Sequence, residues 1–384
     1  MVMQKHLNML REFSIPLVAG VIVALFWANL WPETYHEFNY KQLLGPLNFH
    51  FITNDIFMVF FFAIAAAEIT ESCMPGGDFH PLGKAAGPLL ATVGGIIGPV
   101  AVYLLLNQVF GSANLVSGWG IPTATDIAIS WLVARIVFGA NHPAVSFLLL
   151  LAIADDAVGL AIIAFFYPDP SHPLEPAWLI LVAAGMGIAW ALRRSRIRNY
   201  WPYLIAGGGA GWAGLYNAGL HPALSLVFVV PFLPHPWRET RHLFEEDPRD
   251  ASTLAAFEHE WKVVVDFGLF FFGLANAGVE FSSFGTATWL VFGSLLFGKT
   301  LGIFLFAWAG HRLRLKLPEG MDYGHLLLVG IIAGIGFTVS LFIAGEAFAD
   351  PQLQDEARMG AILSISMAVI AIAAGKIMGV RRKI

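Results

Sequence analysis

Long apolar segments recur along the whole chain, separated by short stretches rich in charge, glycine or proline. Residues 85–125 and 199–237 contain no Asp, Glu, Lys or Arg, so each is long enough for two membrane-spanning helices of about 20 residues. The remaining apolar runs, treated in the same way, bring the prediction to twelve transmembrane helices. The predicted spans are 13–31, 55–71, 85–107, 116–137, 143–166, 176–192, 201–216, 220–234, 263–280, 287–310, 324–346 and 359–379.

The composition agrees with this pattern. The chain has 384 residues, of which 57% are apolar and 13% charged, and its mean hydropathy is +0.68. These values are typical of an integral membrane protein and exclude a nucleic-acid-binding protein. Since the twelve spans leave only loops between them, we expect an all-α membrane protein with one domain, residues 1–384. The single cysteine, Cys73, excludes an intrachain disulfide.

The basic residues are distributed unevenly between alternate loops. All but three of the 22 lysines and arginines lie at the termini, on one set of loops, or at the span ends beside them. The exceptions are Lys41 and Arg358 on the other loops and Lys299 inside a span. Loops rich in Lys and Arg face the cytoplasm, so the distribution predicts that both termini are cytoplasmic.

Three acids and one base are predicted at membrane depth. Asp155 and Asp156 lie near the middle of the fifth span, Lys299 near the middle of the tenth, and Asp126 inside the fourth. An ionisable group there costs roughly 3 kcal/mol on insertion scales, so each is a functional hypothesis. Carboxylates suit a small hard cation, and we predict a Na+ site at Asp155 and Asp156. The alternative is that one of these acids only pairs with Lys299 to hold two helices together.

Two spans contain residues that interrupt helices. In the fourth, Pro122 removes a backbone donor, and Thr123 and Thr125 compete for backbone hydrogen bonds. In the eleventh, a cluster of glycines that ends with Gly336 precedes Thr338. Interrupted helices in corresponding places are typical of secondary transporters built from inverted-topology repeats.

These interruptions predict a transporter and not an enzyme. The repeat core would be spans 3–5 (residues 85–166) and spans 10–12 (residues 287–379), in which the broken fourth and eleventh helices cross, while spans 1, 2, 8 and 9 form an interface or scaffold. Because a carboxylate binds either a proton or a cation, the chemistry favours exchange of Na+ or Li+ for H+ without a resident cofactor. A sodium-coupled symporter of an organic anion on a similar fold is the alternative.

Five segments resemble the NhaA-type sodium/proton antiporters in order and approximate spacing: IPTATDIAIS, LAIADDAVGLAIIAFFY, LANAGV, GKTLGI and GIGFTVSLFIA. The resemblance implies that Asp155 and Asp156 bind the cation and protons and that Lys299 pairs with the first of them. It also implies that Thr125 and Asp126 belong to the crossed, unwound helices, and we expect both of them, with Lys299, to take part in binding ions and protons. Electrogenic exchange in the plasma membrane of a bacterium, with more protons than sodium ions per cycle, is the expected activity.

The chain departs from that family in three places, of which one is the pair Ala157 and Val158 after Asp156, where the family usually has Leu-Gly. After Glu68 it has the letters ITES, where the family usually has a basic pair and another acid. The loop 32–53 is short for the β-hairpin through which the family forms dimers, although LNFHFIT (47–53) is a candidate strand of such a hairpin. A homodimer is therefore expected from the resemblance alone.

Five further residues are candidates for cation access or pH sensing: Asp55, Glu68, His221, Glu258 and His259. Asp55 and Glu68 bracket the second span, but acids at span ends are usually solvated. Imidazole titrates near neutrality, and His221 and His259 match family positions, yet histidines at the membrane interface are often without function. The sequence leaves both interpretations open.

Overall fold

The computed structural model describes residues 14–43, 47–74, 77–80, 82–168, 174–235, 252–315 and 317–380. Throughout these residues the ordered elements are helices, and no β-strand occurs among them, which confirms the all-α prediction. The helices are α1 (Ile15–Leu30), α2 (Pro32–Tyr40), α3 (Phe49–Cys73), α4 (Leu82–Phe110), α5 (Ala113–Thr123), α6 (Ile127–Phe138), α7 (Pro143–Phe166), α8 (Pro176–Arg194), α9 (Tyr203–Gly208 and Gly209–Ala218), α10 (Pro222–Phe232), α11 (Thr253–Asn276), α12 (Thr286–Arg312), α13 (Tyr323–Ala333), α14 (Phe337–Ala347) and α15 (Pro351–Ile377).

The protein is a multi-pass membrane protein. Six of the described helices, α3, α4, α7, α8, α12 and α15, are long and apolar enough to cross a bilayer. Two pairs of shorter helices are each bent at a break of a few residues, α5 with α6 by 56° and α13 with α14 by 46°. If each bent pair is one span, the described residues contain eight candidate spans. The predicted number of twelve stays a prediction.

Helix caps explain where the structure differs from the predicted bounds. LNFHFIT is not a strand, because α3 begins at Phe49 and the Asn48 side chain accepts a hydrogen bond from the Phe51 amide (2.7 Å). The helix that contains most of the predicted span 263–280 begins at Thr253, ten residues earlier, where Ser252 caps it. In both places a polar side chain satisfies a free amide of the first turn.

Four glycines bring α4 and α12 into backbone contact. A Cβ atom on Gly302 would lie 2.1 Å from the Gly94 carbonyl oxygen, and one on Gly98 would lie 2.3 Å from the Gly298 carbonyl oxygen. Both helices thus present two small residues four apart, the spacing that allows close helix packing in membranes. Lys299 follows directly after Gly298 and has no exposed surface. The crossing therefore fixes the depth at which this lysine is buried.

A π-helical turn helps to position the same lysine. Within α12, residues Ser294–Lys299 form a π-helix, and similar turns occur at Ile52–Phe57 and Tyr203–Gly208. A π-turn inserts an extra residue into a helix and changes the direction of the side chains that follow it. Such turns are frequent at functional sites.

Gly302→Ala should destabilise the protein, because the added methyl group would overlap the backbone of α4. We expect the free energy of unfolding to fall by about 1–3 kcal/mol, the usual effect of overpacking. Gly187→Ala is the matched control, since a Cβ there would meet no atom within 4 Å. Thermal unfolding in detergent would measure both variants, and equal stability of the two would contradict the proposed backbone contact.

Candidate functional site

The two helix breaks lie against each other. Residues 124–126 connect α5 to α6, and residues 334–336 connect α13 to α14. The Asp126 amide donates to the Ile335 carbonyl (2.7 Å). A helix that ends inside the protein leaves amides and carbonyls without partners, and this hydrogen bond satisfies one of each across the two breaks.

Two serines make reciprocal hydrogen bonds between the two broken helix pairs, α5–α6 and α13–α14, whose contact we call the crossing. Ser130, on α6, donates to the Ile332 carbonyl near the end of α13 (3.1 Å). Ser340, on α14, donates to the Ile121 carbonyl near the end of α5 (2.8 Å). Each helix that follows a break therefore satisfies a carbonyl of the helix that precedes the other break. Both serines lie among apolar residues without a recognisable motif, so the sequence alone did not indicate them.

Asp126 is placed between the amino ends of two helices. One of its carboxylate oxygens accepts from the Ile129 amide of α6 (3.0 Å). The other accepts from the Thr338 hydroxyl (2.7 Å) and the Thr338 amide (3.3 Å) at the start of α14. Because helix amino ends carry partial positive charge, a carboxylate is favourable here. Both oxygens of Asp126 are engaged, and the residue is only 3% exposed.

Lys299 lies at the carboxyl end of a helix, where a positive charge is favourable. Its ammonium group donates to the Thr123 carbonyl at the carboxyl end of α5 (2.5 Å) and lies 2.9 Å from the Asp155 carboxylate. Helix carboxyl ends carry partial negative charge, so the ammonium offsets both a helix end and an acid. The Thr125 hydroxyl lies within hydrogen-bonding distance of the same Asp155 oxygen (2.9 Å) and of the Ala333 carbonyl (2.8 Å), and its single proton is donated to one of them at a time.

The adjacent acids Asp155 and Asp156 have different surroundings. Asp155 is 1% exposed and faces Lys299 and Thr125 through one oxygen. Its second oxygen lies near Gly95 and has no hydrogen-bond partner among the described residues, and neither has one oxygen of Asp156. Buried polar atoms are normally satisfied, and a carboxylate oxygen without a partner is available to a proton or a cation.

A cavity of about 980 Å³ reaches this site from one side. Its inner end is lined by Thr125, Asp126, Asp156 and Thr338, whereas Asp155 and Lys299 are not part of its lining. Towards the protein surface it is lined by further charged residues: Glu68, Glu71, Asp78, Lys262 and Asp266. Asp156 is thus the member of the pair that an ion in the cavity meets first.

The remaining predicted residues form two separate groups. His221 lies 4.0 Å from Asp55 and 3.3 Å from Glu346. Glu68 and Glu258 instead lie 2.9 Å and 3.7 Å from Lys262. His259 is exposed.

Asp55 and Glu68 lie near opposite ends of α3, about 20 Å apart at helical rise. The five candidates therefore do not form one cluster. Glu346 and Lys262 were not among the residues that the sequence indicated. For Lys262 a signal was present, because it follows Glu258 by four residues on the same helix.

The chain matches a known protein family over nearly its whole length. Residues 4–377 match the family model described as Na+/H+ antiporter 1. The chain belongs to this antiporter family. The sequence resemblance to NhaA-type antiporters is thereby confirmed.

Two relatives in this family are similar over nearly their full length. The chain is 65% identical over 381 residues to the Na(+)/H(+) antiporter NhaA of Geotalea uraniireducens, covering 99% of each chain. It is 66% identical over 380 residues to the Na(+)/H(+) antiporter NhaA 1 of Pelobacter propionicus, covering 99% of this chain and 100% of the relative.

A solved structure shares the fold. The sodium proton antiporter MjNhaP1 from Methanocaldococcus jannaschii, at pH 8, superposes with a TM-score of 0.55. The superposition covers 96% of this chain and 91% of the other, at 13% sequence identity. At that identity the likeness concerns the fold alone.

In this antiporter the contact between Asp155 and Lys299 should stabilise the fold. Lys299→Met leaves the acid buried without its cation, so we expect the free energy of unfolding to fall by roughly 3 kcal/mol. The double variant Asp155→Asn with Lys299→Met buries no charge at this position and should lose less than the sum of the two single variants. Thermal unfolding in detergent tests this, and additive losses would show that the two groups do not stabilise each other.

Proposed function

We propose that this protein exchanges Na+ for H+ across a membrane and that Asp155 and Asp156 bind both ions. One observation carries the proposal: each acid has a buried oxygen without a partner in the part of the chain that the structure describes, and Asp156 faces the cavity. Membership of the Na+/H+ antiporter 1 family and the names of the relatives support the same activity. Li+, which has the same charge and ligand preference, is proposed as a second substrate.

The geometry suggests how one site serves both ions. Na+ that enters the cavity meets Asp156 first, and to reach Asp155 it uses the free oxygen of that residue or replaces Lys299 at the other. Protons compete for the same oxygens because a protonated carboxyl no longer attracts a cation. If the site faces only one side of the membrane at a time, this competition produces exchange. Lys299 either gives up a proton during the cycle or remains a static counter-charge.

The proposed architecture has twelve spans. To the eight candidate spans it adds α1, α9, α10 and α11, which are shorter or carry more charge. The bent pairs would be the fourth and eleventh spans of an inverted repeat formed by residues 85–166 and 287–379. The reciprocal bonds of Ser130 and Ser340 support this symmetry.

The proposal also includes an orientation and a location. With both termini cytoplasmic, α3 ends on the cytoplasmic side, so the cavity mouth near Glu68 and Glu71 faces the cytoplasm. The relatives are bacterial, and we propose the lipid bilayer of the bacterial plasma membrane as the location. A homodimer is proposed from family resemblance alone, since residues 47–53, the candidate strand of its interface, lead into a helix.

The symporter of an organic anion has no support. The relatives are named as antiporters. The cavity is also unsuited to an anion, since among the described residues its lining has six acids and one lysine. Those acids would repel an organic carboxylate and attract a cation.

Asp156→Asn should abolish Na+-driven proton movement without loss of stability, because an amide keeps the shape of the side chain but cannot take up a proton. The measurement is the pH change inside cytoplasmic-side-out vesicles when NaCl is added, with and without an organic anion. Glu33→Gln is the control, an exposed acid on α2 outside the cavity. Normal exchange by Asp156→Asn would disprove the site, and dependence on the anion would favour symport.

Labelling of single cysteines by a membrane-impermeant reagent would test the twelve-span topology. In a variant that lacks Cys73, cysteines in loops 193–200 and 312–323 should react only from the cytoplasmic side. Cysteines in loops 168–175 and 282–286 should react only from outside. The basis is the uneven distribution of lysine and arginine between alternate loops. One reversed loop among the four would disprove the count of twelve.

A further inference from the structure

Lys262 has an unusual position in the cavity. Of the described residues that line it, six are acids, and the basic ones are Lys262 and His235. A passage that collects Na+ is expected to be lined by acids, since a cleft of one sign of charge concentrates the opposite ion. A lysine works against that purpose, so its presence calls for an explanation.

The contacts of Lys262 connect two helices at the mouth of the cavity. Its ammonium group lies 2.9 Å from Glu68 on α3 and 3.7 Å from Glu258, one turn earlier on its own helix α11. Asp266 lies one turn later on the same helix and also lines the cavity. The side chain of Lys262 is 43% exposed. Ion pairs this exposed contribute little to folding stability, which leaves an electrostatic role for the lysine.

The negative charge of Glu68 at the cavity mouth acts on the proposed ion site. Glu68 and Asp156 line the same cavity, and charges that share a cavity act on each other through space. Anything that neutralises Glu68 therefore also weakens the attraction of the inner site for a cation. Lys262 is in direct contact with Glu68 and is in a position to do so.

We infer that Lys262 is a built-in counter-cation of the cavity, which sets the affinity for Na+ by offsetting the charges of Glu68 and Glu258. Na+ arriving from the cavity mouth experiences a field that the lysine has reduced, so the protein binds Na+ more weakly than its acids alone would allow. This inference rests on the proposed exchange of Na+ for H+. It concerns how tightly the ion is held and not which residues hold it.

The decisive variant is Lys262→Gln. Loss of one positive charge near the path should lower the KM for Na+ by roughly threefold, while turnover at saturating Na+ stays at the wild-type value. The measurement is Na+-driven proton movement in cytoplasmic-side-out vesicles at low ionic strength. The pH should be alkaline, because a more negative cavity also attracts protons, which compete with Na+ at lower pH.

Three further variants separate charge from structure. Lys262→Arg keeps the charge and should keep the wild-type KM. Glu68→Gln removes an acid and leaves the lysine, so it should raise the KM. The double variant Glu68→Gln with Lys262→Gln restores the net charge of the wild type and should return the KM close to the wild-type value. Lys41→Gln is the matched control, since Lys41 forms an exposed ion pair with Glu37 outside this cavity.

Choline chloride provides an independent test, because added salt screens exposed charges. It should reduce the difference in KM between wild type and Lys262→Gln. A wild-type KM in Lys262→Gln, or an equal change in Lys262→Arg, would overturn the role of Lys262 while leaving the proposed exchange intact. Absence of Na+-driven proton movement in wild-type vesicles would instead overturn the proposed exchange, and the role of Lys262 with it.

Discussion

A helix that ends in the middle of a membrane protein exposes amides and carbonyls that lipid and apolar side chains cannot satisfy, and the structure is organised around that constraint. Two such breaks lie against each other, at residues 124–126 and 334–336. Asp126 satisfies the amino ends of α6 and α14, and Lys299 satisfies the carboxyl end of α5. Two buried charges of opposite sign thus compensate the partial charges of the helix ends.

In the described part of the chain, this division leaves two acids, Asp155 and Asp156, whose oxygens are not all engaged. Asp126 has both oxygens engaged with backbone and hydroxyl donors, and these hydrogen bonds link the starts of α6 and α14. Asp155 and Asp156 each keep an oxygen without a partner among the described residues, and Lys299 restrains only one oxygen of Asp155. A cation site needs oxygens that are held in place but not fully satisfied. Asp155 and Asp156, which lie beside the crossing, meet both conditions.

The helices around the crossing hold these groups at the required depth. Glycines at 94, 98, 298 and 302 allow α4 and α12 to touch through their backbones, and the π-turn that ends at Lys299 helps to direct its side chain. At the cavity mouth, the contact of Lys262 with Glu68 connects α3 to α11, and both residues line the cavity that reaches Asp156. In the mechanism that we propose, Lys262 sets the affinity for Na+ at the cavity mouth, whereas Asp156, at the inner end, and Asp155, behind it, bind the ion.

The sequence by itself determined the helical membrane fold, the family, the buried acids with their lysine, and the two interrupted segments. These follow from local properties: apolar length, the cost of a buried charge, and the effect of proline and glycine on helices. It failed where a polar cap overrides a pattern, as at Asn48, which begins a helix in a segment expected to be a strand.

Only the tertiary structure decided the different surroundings of Asp155 and Asp156. Neighbours on a helix point about 100° apart, so one faces a lysine and the other a cavity. What lies in each direction depends on residues far away in the chain. The contact between Glu68 and Lys262, which are 194 positions apart, has the same origin. No local pattern encodes the distance between two helices.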